Sequence, residues 1–208
     1  MTPAPPDQQD RASAALLRGA LVIVPTETVY GLAANVHHED ALKRLYAVKN
    51  RPLNQPISLL VADILMAERY GDFDGRARAL AAAFWPGPLT LIVPVKADAP
   101  LCSLVLGAGT SIGLRVPDNR ITRTLITQVD TALATPSANV AGAPAPTRVE
   151  DIASDLLCKA ALCLDDGPCQ RGKASTLVDA SKAQLRILRT GDLSEADIRT
   201  AIGKATKP

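Results

Sequence analysis

Short apolar runs alternate with segments of helical periodicity along most of this chain, and this alternation limits the fold more than any other feature. Runs such as Ala20–Val24 and Ile57–Val61 have the length of a strand and are far shorter than the roughly 20 residues of a bilayer span. Between them, apolar residues recur at helical spacing from Ala41 to Val48. The alternation favours an α/β domain, and connections of unequal length favour a mixed sheet over a strictly parallel one.

The same periodicities assign the other elements. Helices are predicted at about Arg11–Leu17, Arg76–Phe84 and Ile121–Gln128. Further strands are predicted at Leu89–Val95, Ser111–Val116, Ala132–Thr135, Ala161–Leu164, Ser175–Val178 and Leu185–Leu188. Two capping boxes, Thr147 with Glu150 and Ser194 with Asp197, each predict a short helix.

Composition indicates one globular domain with a single sizeable core. The chain has 208 residues, of which 47% are hydrophobic and 21% charged, and its formal net charge of +2 is too small to indicate nucleic-acid binding by itself. Residues 1–10 are polar and rich in proline, so we expect a disordered tail ahead of a domain at 11–205. The tail has no apolar segment, so it predicts neither a signal peptide nor a membrane anchor.

The cysteines indicate reduced thiols in a cytoplasmic protein. They contain no CxxC pair, and with only His37 and His38 available they form no credible zinc pattern. Oxidation of Cys158 and Cys163 stays open, because it depends on whether the fold brings them together.

Polar residues gather where predicted strands and helices end, which is where α/β proteins build sites. Thr26-Glu27-Thr28 follows the first strand, and its hydroxyls either cap a turn or contact a ligand. Lys49 to Gln55 follows a helix, and its cations either are solvated or bind an anion. Ser137 and Asn139 follow a strand, as residues of a turn or of a phosphate or ribose site.

Arg115 lies inside an otherwise apolar strand, where a buried guanidinium needs a partner such as a carboxylate. If Lys49, Arg51 and Arg189 converge with it, an anionic ligand would relieve their repulsion, about 4 kcal/mol for two charges about 4 Å apart at a dielectric near 20. The chain has no GxxxxGK[ST], GxGxxG or GxSxG motif and no plausible Ser-His-Asp set. The absence of these motifs argues against the common nucleotide folds.

Seven motifs occur in order between about Leu21 and Gly191: PTETVYGL, KNRPxxxP, FWPGPLT, GLRVP, PSANxxGxPxPT, GxxST and LRxG. This set closely resembles the YrdC-like threonylcarbamoyl-AMP synthases, in their short single-domain form. The resemblance implies a YrdC/RibB-like α/β fold, in which a twisted mixed β-sheet flanked by helices surrounds a concave basic pocket. It implies a nucleotidyltransferase that condenses L-threonine, bicarbonate and ATP into threonylcarbamoyl-AMP and pyrophosphate. That product serves N6-threonylcarbamoylation of the anticodon-adjacent adenosine of tRNA.

The resemblance also implies roles for individual residues. The nucleotide contacts that it implies are Lys49, Arg51, Gln55, Ser111, Ser137, Asn139 and Arg189. The threonine contacts that it implies are Thr28, Arg115, Thr135 and Ser175. No acid–base residue is implied, because the chemistry needs positioning, here by Lys49 and Arg51, and charge neutralisation. Mg²⁺ is expected with ATP, held mainly by phosphates and water and not by a protein metal site.

Partners and alternatives complete the prediction. The resemblance implies a downstream tRNA threonylcarbamoyl transferase complex and no membrane, with weak direct tRNA binding left open. An RNA-binding module with a basic concave surface is the alternative, although 3% aromatic residues give little support for base stacking. Two related classes are less well supported. A hydrogenase-maturation domain would bring zinc-finger cysteines and a riboflavin-precursor synthase would need an acidic metal motif, and the sequence shows neither.

Ala141–Pro146 is the candidate for a loop that closes over the site.

Overall fold

A mixed sheet of nine strands runs through the part of the chain that the structure, a computed structural model, describes: residues 6–205. The strands are β1 (Val22–Val24), β2 (Gly31–Asn35), β3 (Leu59–Leu60), β4 (Leu89–Pro94), β5 (Ser111–Arg115), β6 (Leu133–Ala134), β7 (Leu162–Cys163), β8 (Thr176–Asp179) and β9 (Arg186–Arg189). Their order across the sheet is β7-β1-β2-β6-β3-β5-β4-β8-β9. The pairs β1–β7, β3–β5 and β4–β8 are parallel and the others antiparallel, which confirms the predicted mixed α/β sheet.

Helices flank the sheet. They are α1 (Pro6–Leu17), α2 (Glu39–Val48), α3 (Ile64–Ala67), α4 (Gly75–Phe84), α5 (Arg120–Val129), α6 (Ser154–Lys159) and α7 (Glu195–Ala205). Every residue of β1 and β2 is buried, so these strands are covered on both faces. The amphipathic α5 buries residues such as Leu125 and Ile126, and it packs beside α1. Among the described residues, no helix is both long and apolar enough to cross a membrane.

The predicted tail is wrong for residues 6–10, because α1 begins at Pro6 and not near Arg11. Proline is tolerated in a first helical turn, where its missing N–H needs no partner, and Asp7 suits the helix dipole. The side chain of Asp10 accepts a hydrogen bond from Gln128 of α5 at 3.1 Å, which fastens this turn to the domain. Residues 1–5 of the predicted tail lie outside the described residues.

Other differences concern β2, α3 and one capping box. No strand was predicted at β2, because its Gly-Leu-Ala-Ala-Asn sequence lacks β-branched residues, yet pairing with β1 and β6 makes it one. No helix was predicted at the single turn of α3. The predicted Thr147–Glu150 box is wrong: Asp151 accepts the backbone N–H groups of Thr147 and Arg148 ahead of a short 3-10 turn. The Ser194–Asp197 box is confirmed by reciprocal hydrogen bonds where α7 begins.

Candidate active site

A cavity of about 430 Å³ lies on one face of the sheet. Alternate residues of a strand point to the same face, and the cavity is lined in this way by Thr90 and Ile92 of β4 and by Ser111, Gly113 and Arg115 of β5. The remaining walls come from β3, β8 and β9, from the residues just before β3 and β8, and from the connections that follow β1 and β6. The pleat of two central strands therefore sets the floor of the site.

The polar lining of the cavity consists of arginines and hydroxyl groups. It comprises Arg51, Arg115 and Arg189 with Ser58, Thr90, Ser111, Thr135, Ser137 and Ser175. No residue with a carboxylate lines this cavity in the part of the chain that the structure describes. A described lining of guanidinium and hydroxyl donors suits a ligand that carries carboxylate or phosphate oxygens.

Arg115 is buried and already paired. Its Nη2 lies 2.7 Å from Oε1 of Glu27, and its Nε donates to the backbone carbonyl of Gly87 at 3.1 Å. Only 6% of Arg115 and 2% of Glu27 are exposed, so water screens this ion pair little. The expected carboxylate partner of Arg115 therefore exists within the chain, and sequence reasoning did not identify Glu27 as that partner.

Ser175 connects two other polar residues of the cavity. Its hydroxyl lies 2.7 Å from the hydroxyl of Thr90. The Arg189 guanidinium donates to the Ser175 backbone carbonyl through Nε at 3.1 Å and to its hydroxyl through Nη2 at 3.3 Å. Partial burial, and secondarily the cation of Arg115, lowers the pKa of Arg189. This cation is thus held on β9 by the segment that leads into β8.

Arg51 reaches the cavity through a turn at the end of α2. Asn50 takes a left-handed conformation with φ of +47°, the N–H of Asn50 bonds the carbonyl of Ala47, and the N–H of Arg51 bonds the carbonyl of Tyr46. These two bonds define a Schellman motif, in which asparagine tolerates the left-handed position. The helix therefore ends before Pro52, which has no backbone N–H with which to continue it. Arg51 then donates to the Pro56 carbonyl at 2.6 Å and lines the cavity.

Lys49 lies behind the cavity, only 7% exposed, and holds the turn that follows β6. Its ammonium donates to the carbonyl of Ser137 at 2.7 Å, to the carbonyl of Asn139, and to Oδ1 of Asn139 at 3.1 Å. The Ser137 hydroxyl donates to the same Oδ1 at 2.5 Å. Burial, and secondarily the cation of Arg51, lowers the pKa of Lys49 to about 8.

Thr28 is fully buried in the connection between β1 and β2, and it does not line the cavity. Its hydroxyl lies 2.8 Å from that of Thr26, whose oxygen also accepts the backbone N–H groups of Thr28 and Val29. The capping reading of this turn, which the sequence left open, matches these contacts. Val29 is the residue of this turn that lines the cavity.

The structure brings most of the predicted site residues together. Those that line the cavity are Arg51, Ser111, Arg115, Thr135, Ser137, Ser175 and Arg189. Lys49 and Asn139 lie behind its wall in mutual contact, and Gln55 is exposed, with its backbone carbonyl accepting from the hydroxyl of Tyr46 at 2.8 Å. Their predicted ligand contacts stay predictions.

Sequence reasoning missed Glu27, Thr90 and Ser58 as parts of the site. Glu27 carried a signal, because it lies between two threonines directly after a buried strand while Arg115 demanded a carboxylate. Thr90 carried a weaker one, as a hydroxyl within the apolar run of β4. Ser58 carried none, because its exposure to the cavity depends on how β3 pairs with β5 and β6.

Comparison with known proteins gives the family. The family model named for Sua5, YciO and YrdC, described as telomere recombination, matches residues 14–191. The chain belongs to the Sua5/YciO/YrdC family. This membership confirms the resemblance to YrdC-like proteins that the seven motifs carried.

Several members of the family are similar to the chain along most of its length. It is 39% identical over 199 residues to the threonylcarbamoyl-AMP synthase of Bacillus subtilis, covering 95% of this chain and 57% of that protein. It is 32% identical over 180 residues to the threonylcarbamoyl-AMP synthase of Vibrio vulnificus, covering 85% of this chain and 95% of that protein. The chain thus spans little more than half of the Bacillus relative and nearly all of the Vibrio one.

A solved structure of the family confirms the fold. The Pyrococcus abyssi Sua5 structure complexed with L-threonine superposes with a TM-score of 0.89 at 34% identity, covering 94% of this chain and 57% of that one. The predicted α/β architecture of the Sua5/YciO/YrdC family is therefore the observed one.

Proposed function

We propose that this chain is an L-threonylcarbamoyladenylate synthase, a nucleotidyltransferase that condenses L-threonine, bicarbonate and ATP into threonylcarbamoyl-AMP and pyrophosphate. The observation that carries the proposal is the convergence of Arg51, Arg115 and Arg189 with hydroxyl groups in one cavity without a carboxylate in its described lining. The names of the Bacillus and Vibrio relatives support the reaction, and the L-threonine in the Pyrococcus complex supports the amino-acid substrate.

The amino acid would occupy the part of the cavity beside Arg115, where β5 ends. Arg115 would bind its carboxylate by charge-assisted hydrogen bonds, which are stronger than bonds between neutral groups. Thr135 and Ser175 offer hydroxyls to its polar atoms, and Thr28 lies behind the same wall. A guanidinium held in the cavity wall beside the hydroxyl groups of short side chains suits a small polar amino acid.

The nucleotide would lie along the other wall. Arg51 and Arg189 would bind its phosphates, with hydroxyls of Ser111 and Ser137 beside them. Lys49 and Asn139 would support this wall from behind, and Gln55 would close its exposed rim. This arrangement neutralises charge on the phosphates, which favours a displacement at the α-phosphorus.

Magnesium would enter this site together with the nucleotide. No cluster of three His, Cys, Asp or Glu residues suited to a metal occurs among residues 6–205. Serine hydroxyls such as Ser111 are the neutral oxygen donors that the cavity offers. Bound Mg²⁺, held by phosphates and water, would supply further neutralisation of phosphate charge.

The reaction then needs no acid–base residue. The ammonium group of L-threonine first loses a proton to solvent. The neutral amine then adds to the carbon of bicarbonate, water leaves, and an N-carboxylate forms. An oxygen of that carboxylate attacks the α-phosphorus of ATP, the bond to the β-phosphate oxygen breaks, and pyrophosphate departs. Holding the reactants together supplies much of the rate, and the arginines hold the charged groups in place.

Release of pyrophosphate tests the proposal. Purified protein with L-threonine, bicarbonate, ATP and Mg²⁺ should release pyrophosphate, and omission of either bicarbonate or L-threonine should abolish it. Arg51→Met should weaken ATP binding by about 1.5–3 kcal/mol, the loss of a charge-assisted hydrogen bond. Arg78→Met, an exposed arginine paired with Glu68 outside the cavity, is the matched control and should leave release unchanged.

The pyrophosphate assay, together with a tRNA-binding measurement, distinguishes the synthase from the RNA-binding alternative. Salt-sensitive binding of tRNA without bicarbonate-dependent pyrophosphate would favour an RNA-binding module. The proposal assigns the chain to the cytoplasm, where a tRNA threonylcarbamoyl transferase complex would collect the labile product. Adding such a complex with tRNA should yield N6-threonylcarbamoyladenosine, and direct tRNA binding by this chain is expected to be weak.

A further inference from the structure

Glu27 is a buried carboxylate that lies behind the cavity wall. It is 2% exposed, and it is not among the residues that line the cavity within residues 6–205. A carboxylate at this depth is costly unless it is paired and hydrogen-bonded. Its place in the structure therefore depends on the groups that its two oxygens meet.

Both oxygens of Glu27 face donors. Oε1 lies 2.7 Å from Nη2 of Arg115, and Oε2 accepts the backbone N–H of Asp118 at 3.1 Å. The backbone carbonyl of Glu27 accepts the N–H of Arg171 at 2.8 Å. Glu27 thus joins the connection between β1 and β2 to the segments that follow β5 and precede β8.

The contact with Arg115 leaves donors of the guanidinium available. Nε donates to the Gly87 carbonyl, whereas Nη2 and Oε1 of Glu27, although close, have no aligned hydrogen-bond partner among the described residues. The attraction of the carboxylate therefore fixes the place of the guanidinium without using all its N–H groups, and an arginine has five. A carboxylate in the cavity could accept those of Nη1, because Nη2 is itself buried against Glu27.

We propose that Glu27 is a positioning residue of the amino-acid subsite: it holds the Arg115 guanidinium in the cavity wall and leaves its donors to the substrate carboxylate. This inference rests on the proposed function, because it takes L-threonine as the occupant of that subsite. Glu27 acts through Arg115 and does not touch the ligand.

Glutamine cannot replace this carboxylate. Both Glu27 oxygens face donors, whereas a glutamine side chain has one acceptor oxygen and one NH₂ donor. In Glu27→Gln, the NH₂ group would meet either Arg115 or the N–H of Asp118. The guanidinium would then move, and the substrate carboxylate would lose an aligned partner.

Calorimetric titration tests the inference. Glu27→Gln should weaken binding of L-threonine by roughly tenfold or more, the loss expected for one charge-assisted hydrogen bond. Binding of L-threoninamide, which lacks the carboxylate, and binding of ATP should stay at the wild-type level. In an Arg115→Met background the same change should have no further effect on L-threonine. Glu68→Gln, whose carboxylate pairs with Arg78 away from the cavity, is the matched control and should bind as the wild type does.

Each other outcome identifies what fails. Wild-type protein that does not bind L-threonine overturns the proposed amino-acid substrate and this inference with it. Wild-type affinity in a folded Glu27→Gln variant overturns this inference alone, and so does an equal loss for L-threonine, L-threoninamide and ATP. Circular dichroism establishes folding. If Glu27→Gln does not fold, Glu27→Asp keeps both acceptors one methylene shorter; it should show a smaller, carboxylate-dependent loss, and wild-type affinity would again overturn the inference.

Discussion

The ammonium nitrogen of Lys49 lies 2.7 Å from the backbone carbonyl oxygen of Ser137, so the end of α2 is fastened to the turn that follows β6. The same nitrogen donates to the carbonyl and the side chain of Asn139. One buried cation therefore organises a turn whose serine lines the cavity. Its importance should appear in stability as well as in binding.

Replacement of Lys49 by methionine should lower the free energy of unfolding by about 1–3 kcal/mol, because it leaves buried carbonyl oxygens without a donor. ATP affinity should fall as well, since the turn at Ser137 loses its anchor. Urea unfolding and calorimetric titration measure the two effects. Lys43→Met, on the same helix but exposed and paired with Glu39, is the control and should change neither quantity. Equal behaviour of the two variants would contradict the anchoring role.

The lowered pKa of Lys49 predicts a pH dependence. Its pKa is about 8 in the folded protein against an ordinary value of 10.5, so between these values the unfolded chain binds the proton more tightly. The contribution of Lys49 to stability therefore rises with pH across that window and is constant below it. In urea unfolding, the stability of the wild type relative to Lys49→Met should increase as pH rises from about 8. An unchanged difference would contradict the lowered pKa.

Nucleotide binding should depend on pH in the opposite sense. Loss of the Lys49 charge as pH rises through about 8 removes positive charge behind the cavity wall at which the phosphates of ATP would bind. ATP affinity should therefore fall above that pH, and calorimetric titration on either side of it measures the change. Lys49→Met should lack this step. A step of equal size in that variant would assign the titration to another group.

The pair formed by Glu27 and Arg115 should show strong coupling in stability. Arg115→Met leaves a buried carboxylate without its cation and should cost about 3–5 kcal/mol of unfolding free energy. The double variant with Glu27→Gln removes that orphan charge, so it should be more stable than Arg115→Met alone. Urea unfolding of the wild type, both single variants and the double variant gives the coupling energy. Additive losses would mean that the two side chains do not interact.

Asn50 should tolerate glycine but not valine. Its φ of +47° is readily adopted by glycine, so Asn50→Gly should stay within about 0.5 kcal/mol of the wild type. Asn50→Val should cost about 1–2 kcal/mol, because a β-branched side chain crowds the backbone there. Chemical denaturation of the two variants measures the difference in their free energies of unfolding. Equal stability of both would contradict a left-handed turn at this position.

Much of the fold could be predicted because the local pattern and the tertiary structure agree. The apolar runs of β4 and β5 are buried strands, and the reciprocal Ser194–Asp197 box begins α7. Prediction failed where tertiary contacts decide. The Gly-Leu-Ala-Ala-Asn segment becomes β2 only through its neighbours, and the first turn of α1 is held by a contact with Gln128.

For the site, the sequence indicated which residue types matter more reliably than where each one lies. Arg115 was expected to need a carboxylate, but the chain itself supplies one in Glu27, and no local pattern pairs residues so far apart. Lys49 was expected at the ligand, and its burial behind Ser137 follows from β6 lying between β2 and β3 in the sheet. Strand order of this kind cannot be read from periodicity.

The spread of the cavity lining along the chain, from Val29 to Arg189, has a consequence for biosynthesis. Arg189 lies on β9, at the edge of the sheet and near the end of the described residues, whereas Arg51 precedes β3. Because synthesis proceeds from the N-terminus, a nascent chain that has exposed Arg51 and Arg115 still lacks one wall of the cavity. Binding competence should therefore arise only after β9 has left the ribosome and paired with β8.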